Sequence, residues 1–174
     1  MSLYQDFRPS ILFLAKFIGL YLILNVLYGF YLEAYKGEAD PMTKWVTEQT
    51  AEVLSWYNQD ISTGPKEDLK SIYIFRGDHP ILSVYEGCNG LNVMIIFISF
   101  MIAYGRISMK MLWFIPAGLL TIHFFNLGRI ILLYHVTISM PSFLYFSHKY
   151  LFTAFIYIAV FLSWALWIFK VNGK

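Results

Sequence analysis

Four long runs of apolar residues dominate this sequence and restrict what the chain can fold into. A hydrocarbon core of roughly 30 Å is spanned by about 20 helical residues. The runs cover approximately 11–32, 88–104, 111–134 and 150–169. We therefore predict an all-α, polytopic integral membrane protein with about four transmembrane helices. No small-residue cleavage site follows the first run, so we expect it to remain as an anchor.

Composition supports a single membrane-embedded domain over residues 1–174. Hydrophobic residues make up 58% of the chain and charged residues only 14%, whereas a soluble domain carries about 25% charged residues. The formal charge of +2 and the lack of a long basic run argue against a nucleic-acid partner. We expect membrane lipid around the apolar runs.

The distribution of charge predicts the orientation of the chain. Residues 33–86 contain ten acidic and five basic side chains. Basic residues prevail in the other connections, namely Arg8, Arg106, Lys110, Lys170 and Lys174, with Lys149 as a mild exception. Because Lys and Arg accumulate in short cytoplasmic loops, we predict that both termini and the 105–110 loop are cytoplasmic. The 33–87 segment would then be extracytoplasmic.

This outer segment has patterns of its own. Apolar and aromatic residues recur at helical spacing, namely Met42, Trp45, Val46, Val53, Trp56 and Tyr57. Such a helix suits either the membrane interface or ordinary packing against the tops of the spans. Further along, the runs 71–75 and 81–85 flank a Gly-Asp-His-Pro sequence, which predicts a small hairpin.

The third run contains polar residues that are costly in a membrane. An Arg at the centre of an inserted helix costs roughly 2.5 to 3.5 kcal/mol and usually marks a function. Arg129 is expected about five residues, or roughly 7 to 8 Å, below the outer end of its helix. His123 and Asn126 precede it at intervals of three, so all three share one broad face. A purely structural alternative is pairing of Arg129 with Glu86.

The second run has a similar polar face, with Cys88 at its outer end and Asn92 and Ser99 further on. Cys88 is the only cysteine, so the chain has no intramolecular disulfide or multi-cysteine metal site. A helix N-terminus and a nearby cation such as Arg129 both lower a thiol pKa, so we expect a reactive thiol. The alternative is an inert, buried one.

A histidine completes the set at the same level of the membrane. His148 precedes the fourth run, so three segments deliver a thiol, a guanidinium and an imidazole to one face. His135 competes for this role, although it lies six residues beyond Arg129 and off its face. A surface histidine is the simpler interpretation of His148 taken alone.

These residues resemble the exosortase/archaeosortase family. Glu86-Gly87-Cys88-Asn89-Gly90-Leu91 is similar to its cysteine motif, in which Cys-Ser-Gly-Leu is common. Residues 126–130 resemble its Asn-x-x-Arg motif, and His148 falls where its histidine is expected. The resemblance covers roughly residues 80–170, and the small size and motif form are similar to the compact exosortase F-type. Asn89 in place of Ser and the sequence after His148 depart from the family pattern.

The resemblance implies a thiol protease or transpeptidase of the bacterial inner membrane. Its substrates would be membrane-anchored C-terminal sorting tails of exported proteins, processed at the extracytoplasmic face and then hydrolysed or transferred to a cell-envelope acceptor. Cys88 would be the nucleophile, Arg129 the stabiliser of the oxyanion or thiolate, and His148 the general acid and base. Asn126, Asn92 and Glu86 would support them, without a metal or cofactor. The alternative function is a non-catalytic membrane subunit or a carrier in which Arg129 binds a small anionic solute.

Overall fold

A computed structural model describes residues 3–35, 37–66, 70–104 and 108–171, with side chains from residue 7 onward. Along the chain the principal elements are α1 (Leu3–Ala34), α2 (Pro41–Ser55), β1 (Ile61–Gly64), β2 (Ile72–Arg76), β3 (His79–Val84), α3 (Leu91–Tyr104), α4 (Met109–Ser139), α5 (Leu144–Phe146) and α6 (Phe152–Leu166). Some charges used to predict the orientation lie outside the described residues, namely Lys36, Glu67, Asp68, Arg106 and Lys174.

Three helical segments of the described chain are long and apolar enough to cross a membrane. They are Phe7–Ala34, Met109–Ser139 and Pro141–Val171. The chain is 77% helical, which confirms the prediction of an all-α polytopic membrane protein. The last segment is continuous but irregular, because π-helical turns at Ser147–Leu151 and Trp167–Val171 flank α6.

The remaining apolar helix, α3, is shorter than its predicted span. It has 14 residues, or about 21 Å at 1.5 Å per residue. The helix was expected to begin at Cys88, but a 3-10 turn occupies Glu86–Cys88 and Gly90 has a φ of +86°. An L-residue rarely adopts this left-handed conformation, so the turn ends at Gly90 and α3 begins at Leu91.

Close ring packing holds α3 within the bundle. Phe100 stacks on Trp164 of α6 with ring centroids 4.1 Å apart, and it meets Phe13 of α1 edge to face at 5.5 Å. On the α4 side, the fully buried ring of Phe97 lies against Gly118. A small residue at such a crossing lets two helices approach closely.

The helix α4 extends to Ser139, five residues past the predicted end at Tyr134. Arg129 is therefore ten residues, or about 15 Å, from the end of the helix rather than 7 to 8 Å. The extension is stabilised by the outer segment, because Tyr134 is fully buried and His135 contacts Tyr57.

In the outer segment, α2 packs through a threonine-rich face. Its buried residues are Thr43, Val46, Thr47, Thr50, Ala51 and Leu54. The hydroxyls of Thr47 and Thr50 donate to the carbonyls four residues earlier, at 2.7 and 2.8 Å, so their methyl groups can face the core. Of the predicted apolar positions only Val46 is fully buried, whereas Trp56 is 75% exposed. The helix therefore packs on the protein mainly by its threonine-rich face, and most of the aromatic positions noted in the sequence stay exposed.

The predicted hairpin is confirmed, and a third strand joins it. Strands β2 and β3 pair antiparallel from Ile72↔Val84 to Arg76↔His79, around Gly77 at φ +58°. The strand β1 adds to the far side of β2, giving the order β1-β2-β3. Buried Ile74 and Val84 join Val46 and Leu54 of α2 and Ile130 of α4 in one apolar cluster, so sheet and helices share a core.

Candidate active site

Cys88 closes the short turn between β3 and α3. Cys88 is only 4% exposed, and its backbone N–H donates to the Tyr85 carbonyl at 2.7 Å. A Cβ at Gly90 would lie 3.2 Å from the Asn126 side chain. The turn is therefore pressed directly against α4.

Asn89 anchors the turn on its other side, a role that the sequence did not reveal. The residue is fully buried, and its side-chain amide donates to the hydroxyls of Tyr28 in α1 and Thr43 in α2, both at 3.3 Å. Its side-chain oxygen accepts from the Leu91 N–H at 2.9 Å, which caps the start of α3. An Asn just before an apolar helix is a capping signal, but its long-range partners leave no local pattern.

Asn126 links the cysteine turn, residues 86–90, to α4. Its side-chain amide donates to the Cys88 carbonyl oxygen at 2.9 Å, and the residue is fully buried. Arg129 follows one helical turn later on the same face. The predicted polar face of α4 therefore does point at the cysteine turn.

Arg129 lies in the protein interior, and no carboxylate of the described residues forms a salt bridge with it. It is 9% exposed, and its Nε atom has no hydrogen-bond partner in the described chain. The guanidinium is close enough to influence the ionisation of Cys88 and Tyr85. In the described part of the chain Glu86 is exposed and forms no ion pair with Arg129. The pairing of these two residues, which was the purely structural alternative for Arg129, is thus not observed.

His148 reaches the thiol from the last helical segment. Its Nε2 atom lies 3.4 Å from the Cys88 Sγ atom. The residue is in the π-helical turn Ser147–Leu151, and the Thr153 hydroxyl donates to its backbone carbonyl at 3.1 Å. Such turns are rare and are frequently found at functional sites. The shared level that the sequence predicted for Cys88 and His148 is observed as direct contact.

The other histidines of the described bundle have partners away from the thiol. The Nε2 atom of His135 lies 3.2 Å from the Tyr57 hydroxyl, and the two rings stack. His123 bonds to the Gln49 amide oxygen at 2.8 Å and stacks on Trp45. His135 competed with His148 for the role of general acid and base. Its contact with Tyr57 places it away from the thiol, so it does not take that position.

Two of the predicted supporting residues do not reach the thiol. Asn92 is exposed, and its side chain forms no hydrogen bond in the described part of the chain. Glu86 lines a separate cleft of about 300 Å³ with Glu33, Glu38 and Lys70. Of the supporting set, Asn126 alone is seen to bond to the cysteine turn among the described residues.

Tyr85 is a site residue that the sequence analysis missed. Its hydroxyl interacts with the Cys88 thiol, an interaction that lowers the pKa of Cys88 and raises that of Tyr85. The ring lies over the turn, because a Cβ at Gly87 would be 2.5 Å from Tyr85 Cε2. The signal in the sequence was weak, since an aromatic residue at the end of a strand is common.

Burial decides the direction of the thiol pKa. It raises the pKa of Cys88 above its ordinary value, while Arg129 and the hydrogen bonds from Tyr85 act in the opposite direction and only partly offset it. The expectation of a lowered pKa was therefore wrong for the free protein. The reason is that the thiol is buried before α3 begins, where loss of hydration disfavours the thiolate. A neighbouring base is then needed to remove the proton.

No cluster of three or more His, Cys, Asp or Glu side chains suited to a metal occurs within 3–35, 37–66, 70–104 and 108–171. The described thiol, imidazole and guanidinium instead form a set suited to acyl transfer, with a nucleophile, a base in contact with it and a cation beside both.

Comparison with known proteins identifies the class to which this membrane-embedded site belongs. The family model described as transmembrane exosortase (Exosortase_EpsH) matches residues 7–165. The match covers most of the chain, so the protein belongs to the transmembrane exosortase family. No curated protein and no solved structure matches it significantly.

Proposed function

We propose that this protein is a membrane cysteine peptidase or transpeptidase that cleaves C-terminal sorting signals of exported proteins. The observation that carries the proposal is the 3.4 Å contact between Cys88 Sγ and His148 Nε2, beside the buried Arg129. A thiol in contact with an imidazole is the minimal activated nucleophile. Family membership supports the same chemistry, and the Glu86–Leu91 motif favours the compact F-type within it.

The first half of the reaction forms a thioester. His148 Nε2 takes the thiol proton, and the Cys88 sulfur attacks the scissile carbonyl carbon, forming a C–S bond. The tetrahedral intermediate collapses as the C–N bond breaks, and the imidazolium of His148 gives its proton to the leaving amine. This requires the neutral imidazole to carry its resting proton on Nδ1.

The second half releases the product. Water or an acceptor nucleophile of the cell envelope loses a proton to His148 and attacks the thioester carbonyl. The C–S bond then breaks, and the leaving sulfur recovers a proton from the imidazolium. Hydrolysis and transfer therefore share every protein group and differ only in the nucleophile that enters.

Arg129 would stabilise the negative charge as it moves through these steps. The charge passes from sulfur to the carbonyl oxygen and back. A buried guanidinium whose Nε donor has no hydrogen-bond partner in the described chain can stabilise it at both positions. Electrostatic stabilisation is strong in a poorly hydrated site. The Tyr85 hydroxyl would assist at the sulfur, because it already interacts with the thiol.

We place the site at the extracytoplasmic face of the bacterial inner membrane, with both termini cytoplasmic. The acidic excess of residues 33–86 supports this orientation. The cysteine turn follows β3 directly and shares a core with the outer sheet, since Cys88 and Val84 belong to one apolar cluster. Labelling of a Ser62→Cys variant by a membrane-impermeant maleimide in intact spheroplasts tests this placement.

The function is tested by processing of an exported reporter that carries a candidate C-terminal tail. Cys88→Ala, Arg129→Ala and His148→Ala are each expected to insert in the membrane and to leave the precursor uncleaved. His135→Ala is the matched control and should process the tail normally. If Cys88→Ala processes the tail at the wild-type rate, the proposal fails.

The second candidate function is a carrier or a non-catalytic subunit that binds an anionic solute through Arg129. The orphaned Nε atom of buried Arg129 is the observation that favours it. That function predicts dependence on Arg129 with no dependence on Cys88 or His148, so the same variants separate the two.

A further inference from the structure

The strand β3 has a free edge. In the sheet order β1-β2-β3 it pairs only with β2. In the described part of the chain, the backbone of His79–Val84 makes no hydrogen bond beyond that ladder. In an antiparallel strand alternate residues direct their N–H and C=O groups away from the partner. Pro80 within the strand is consistent with an edge position.

A cleft of about 480 Å³ follows this edge. It is lined by Ile81, Leu82 and Ser83 of β3 and by Pro141, Leu144, Tyr145 and His148 of the last helical segment. Successive side chains of a strand point to opposite faces. A cleft that touches three successive residues therefore runs along the edge of the strand rather than over one face.

The cleft is continuous with the candidate active site. His148 lines it and also contacts the Cys88 thiol at 3.4 Å. The strand ends at Val84, four residues before Cys88. An extended peptide beside β3, at about 3.3 Å per residue, would pass along the cleft and present its carbonyl groups at the thiol within a few residues.

We propose that the free edge of β3 binds the extended segment of the substrate tail next to the scissile bond, as an added strand. This inference rests on the proposed function. Main-chain hydrogen bonds would supply affinity for any sequence, and the cleft would select the side chain that enters it. Because Ile81, Leu82, Pro141 and Leu144 are apolar, an apolar residue is favoured at that position of the tail.

Disulfide trapping tests the proposal. In a Cys88→Ala background, Ser83→Cys places a thiol in the cleft, and Ser62→Cys on β1 is the matched control at the opposite edge of the sheet. The partner is the exported reporter carrying a tail that the wild-type protein processes, with single cysteines at successive tail positions. Membranes are oxidised with copper phenanthroline, and cross-linked products are resolved by size.

The expected result is cross-linking of Ser83→Cys to alternate tail positions, several-fold above the intervening ones, with background levels for Ser62→Cys. Tyr145→Cys, at an exposed residue on the facing wall, should trap the same stretch of tail and provides a second variant. Cross-links that lack alternation, that are equal at both sheet edges, or that join two copies of this protein instead of the tail would overturn the proposal.

Failure of this inference is distinct from failure of the proposed function. If the wild-type protein processes the reporter and Cys88→Ala does not, the cysteine mechanism stands whatever the cross-linking pattern. If Cys88→Ala still processes it, the mechanism fails before β3 is considered.

Discussion

The side-chain amide of Asn126 donates a hydrogen bond of 2.9 Å to the backbone carbonyl oxygen of Cys88. This bond joins the turn that carries the thiol to the helix that carries Arg129, one helical turn away. The Asn126 amide therefore helps to set the relative position of the Cys88 sulfur and the Arg129 guanidinium.

Replacing Asn126 with Ala should slow processing without changing the chemical mechanism. The Cys88 carbonyl loses its partner and the turn can shift, at a cost of about 1 to 3 kcal/mol, which corresponds to roughly a 5-fold to 150-fold loss of rate. Steady-state measurements on the purified protein would show the loss in kcat rather than in KM. Asn92→Ala is the control, since the Asn92 side chain is exposed and forms no hydrogen bond in the described part of the chain. Equal losses in both variants would contradict the positioning role.

Removing the Tyr85 hydroxyl should make the thiol less reactive at neutral pH. The pKa of Cys88 is already raised by burial, and the Tyr85 interaction partly offsets this. In Tyr85→Phe the pKa of Cys88 is expected to rise further, because the side-chain interaction that lowers it is lost. The midpoint of the pH profile of Cys88 alkylation by iodoacetamide should therefore move upward.

Gly87→Ala should shift this profile in the same direction, because its Cβ would collide with the Tyr85 ring at 2.5 Å. Gly64→Ala is the matched control, with Phe75 as its nearest contact at 3.9 Å. An unchanged profile in both Tyr85→Phe and Gly87→Ala would remove Tyr85 from the site.

Arg129→Gln should abolish processing while leaving the protein at least as stable as the wild type. A buried cation without a carboxylate partner is costly, so loss of the charge relieves the fold of an unfavourable group. Thermal unfolding in detergent would show an equal or higher midpoint. Lys149→Gln, at an exposed lysine that donates to the Tyr145 hydroxyl at 2.7 Å, should process normally. A large drop in the unfolding midpoint of Arg129→Gln would instead indicate a structural role.

Gly118→Ala should destabilise the bundle. The new Cβ would lie 2.3 Å from Cζ of Phe97, whose ring is fully buried. Overpacking of this kind costs about 1 to 3 kcal/mol. Gly128→Ala on the same helix has no atom within 4 Å of its Cβ, so it should unfold at the wild-type temperature or slightly above it. Thermal unfolding of the two variants side by side measures the difference.

The sequence predicted the parts of the site that follow from depth in the membrane. The cost of burying a charge in an apolar run marks Arg129 individually, whereas Cys88 and His148 were marked by lying at the same level of the membrane as Arg129. The periodicity of α4 also placed Asn126 on the Arg129 face. These inferences need only helix geometry and the thickness of a bilayer.

Features set by long-range contacts escaped prediction. Asn89 reaches hydroxyls of α1 and α2 that are 61 and 46 residues away along the chain. The buried face of α2 is rich in threonine, which a search for large apolar residues overlooks. Burial of the cysteine turn likewise reversed the expected direction of the thiol pKa, because the depth of a short turn is set by everything that packs around it.

The contact between Cys88 and His148 joins residues 60 positions apart, and His148 belongs to the last helical segment of the described chain. Because a chain is synthesised and inserted from its N-terminus, the thiol has no base beside it until that segment has entered the bilayer. The thiol–imidazole pair is therefore assembled only when this last described segment packs against the turn that carries Cys88. Any activity that needs both groups would be absent from a chain whose earlier segments alone have entered the membrane.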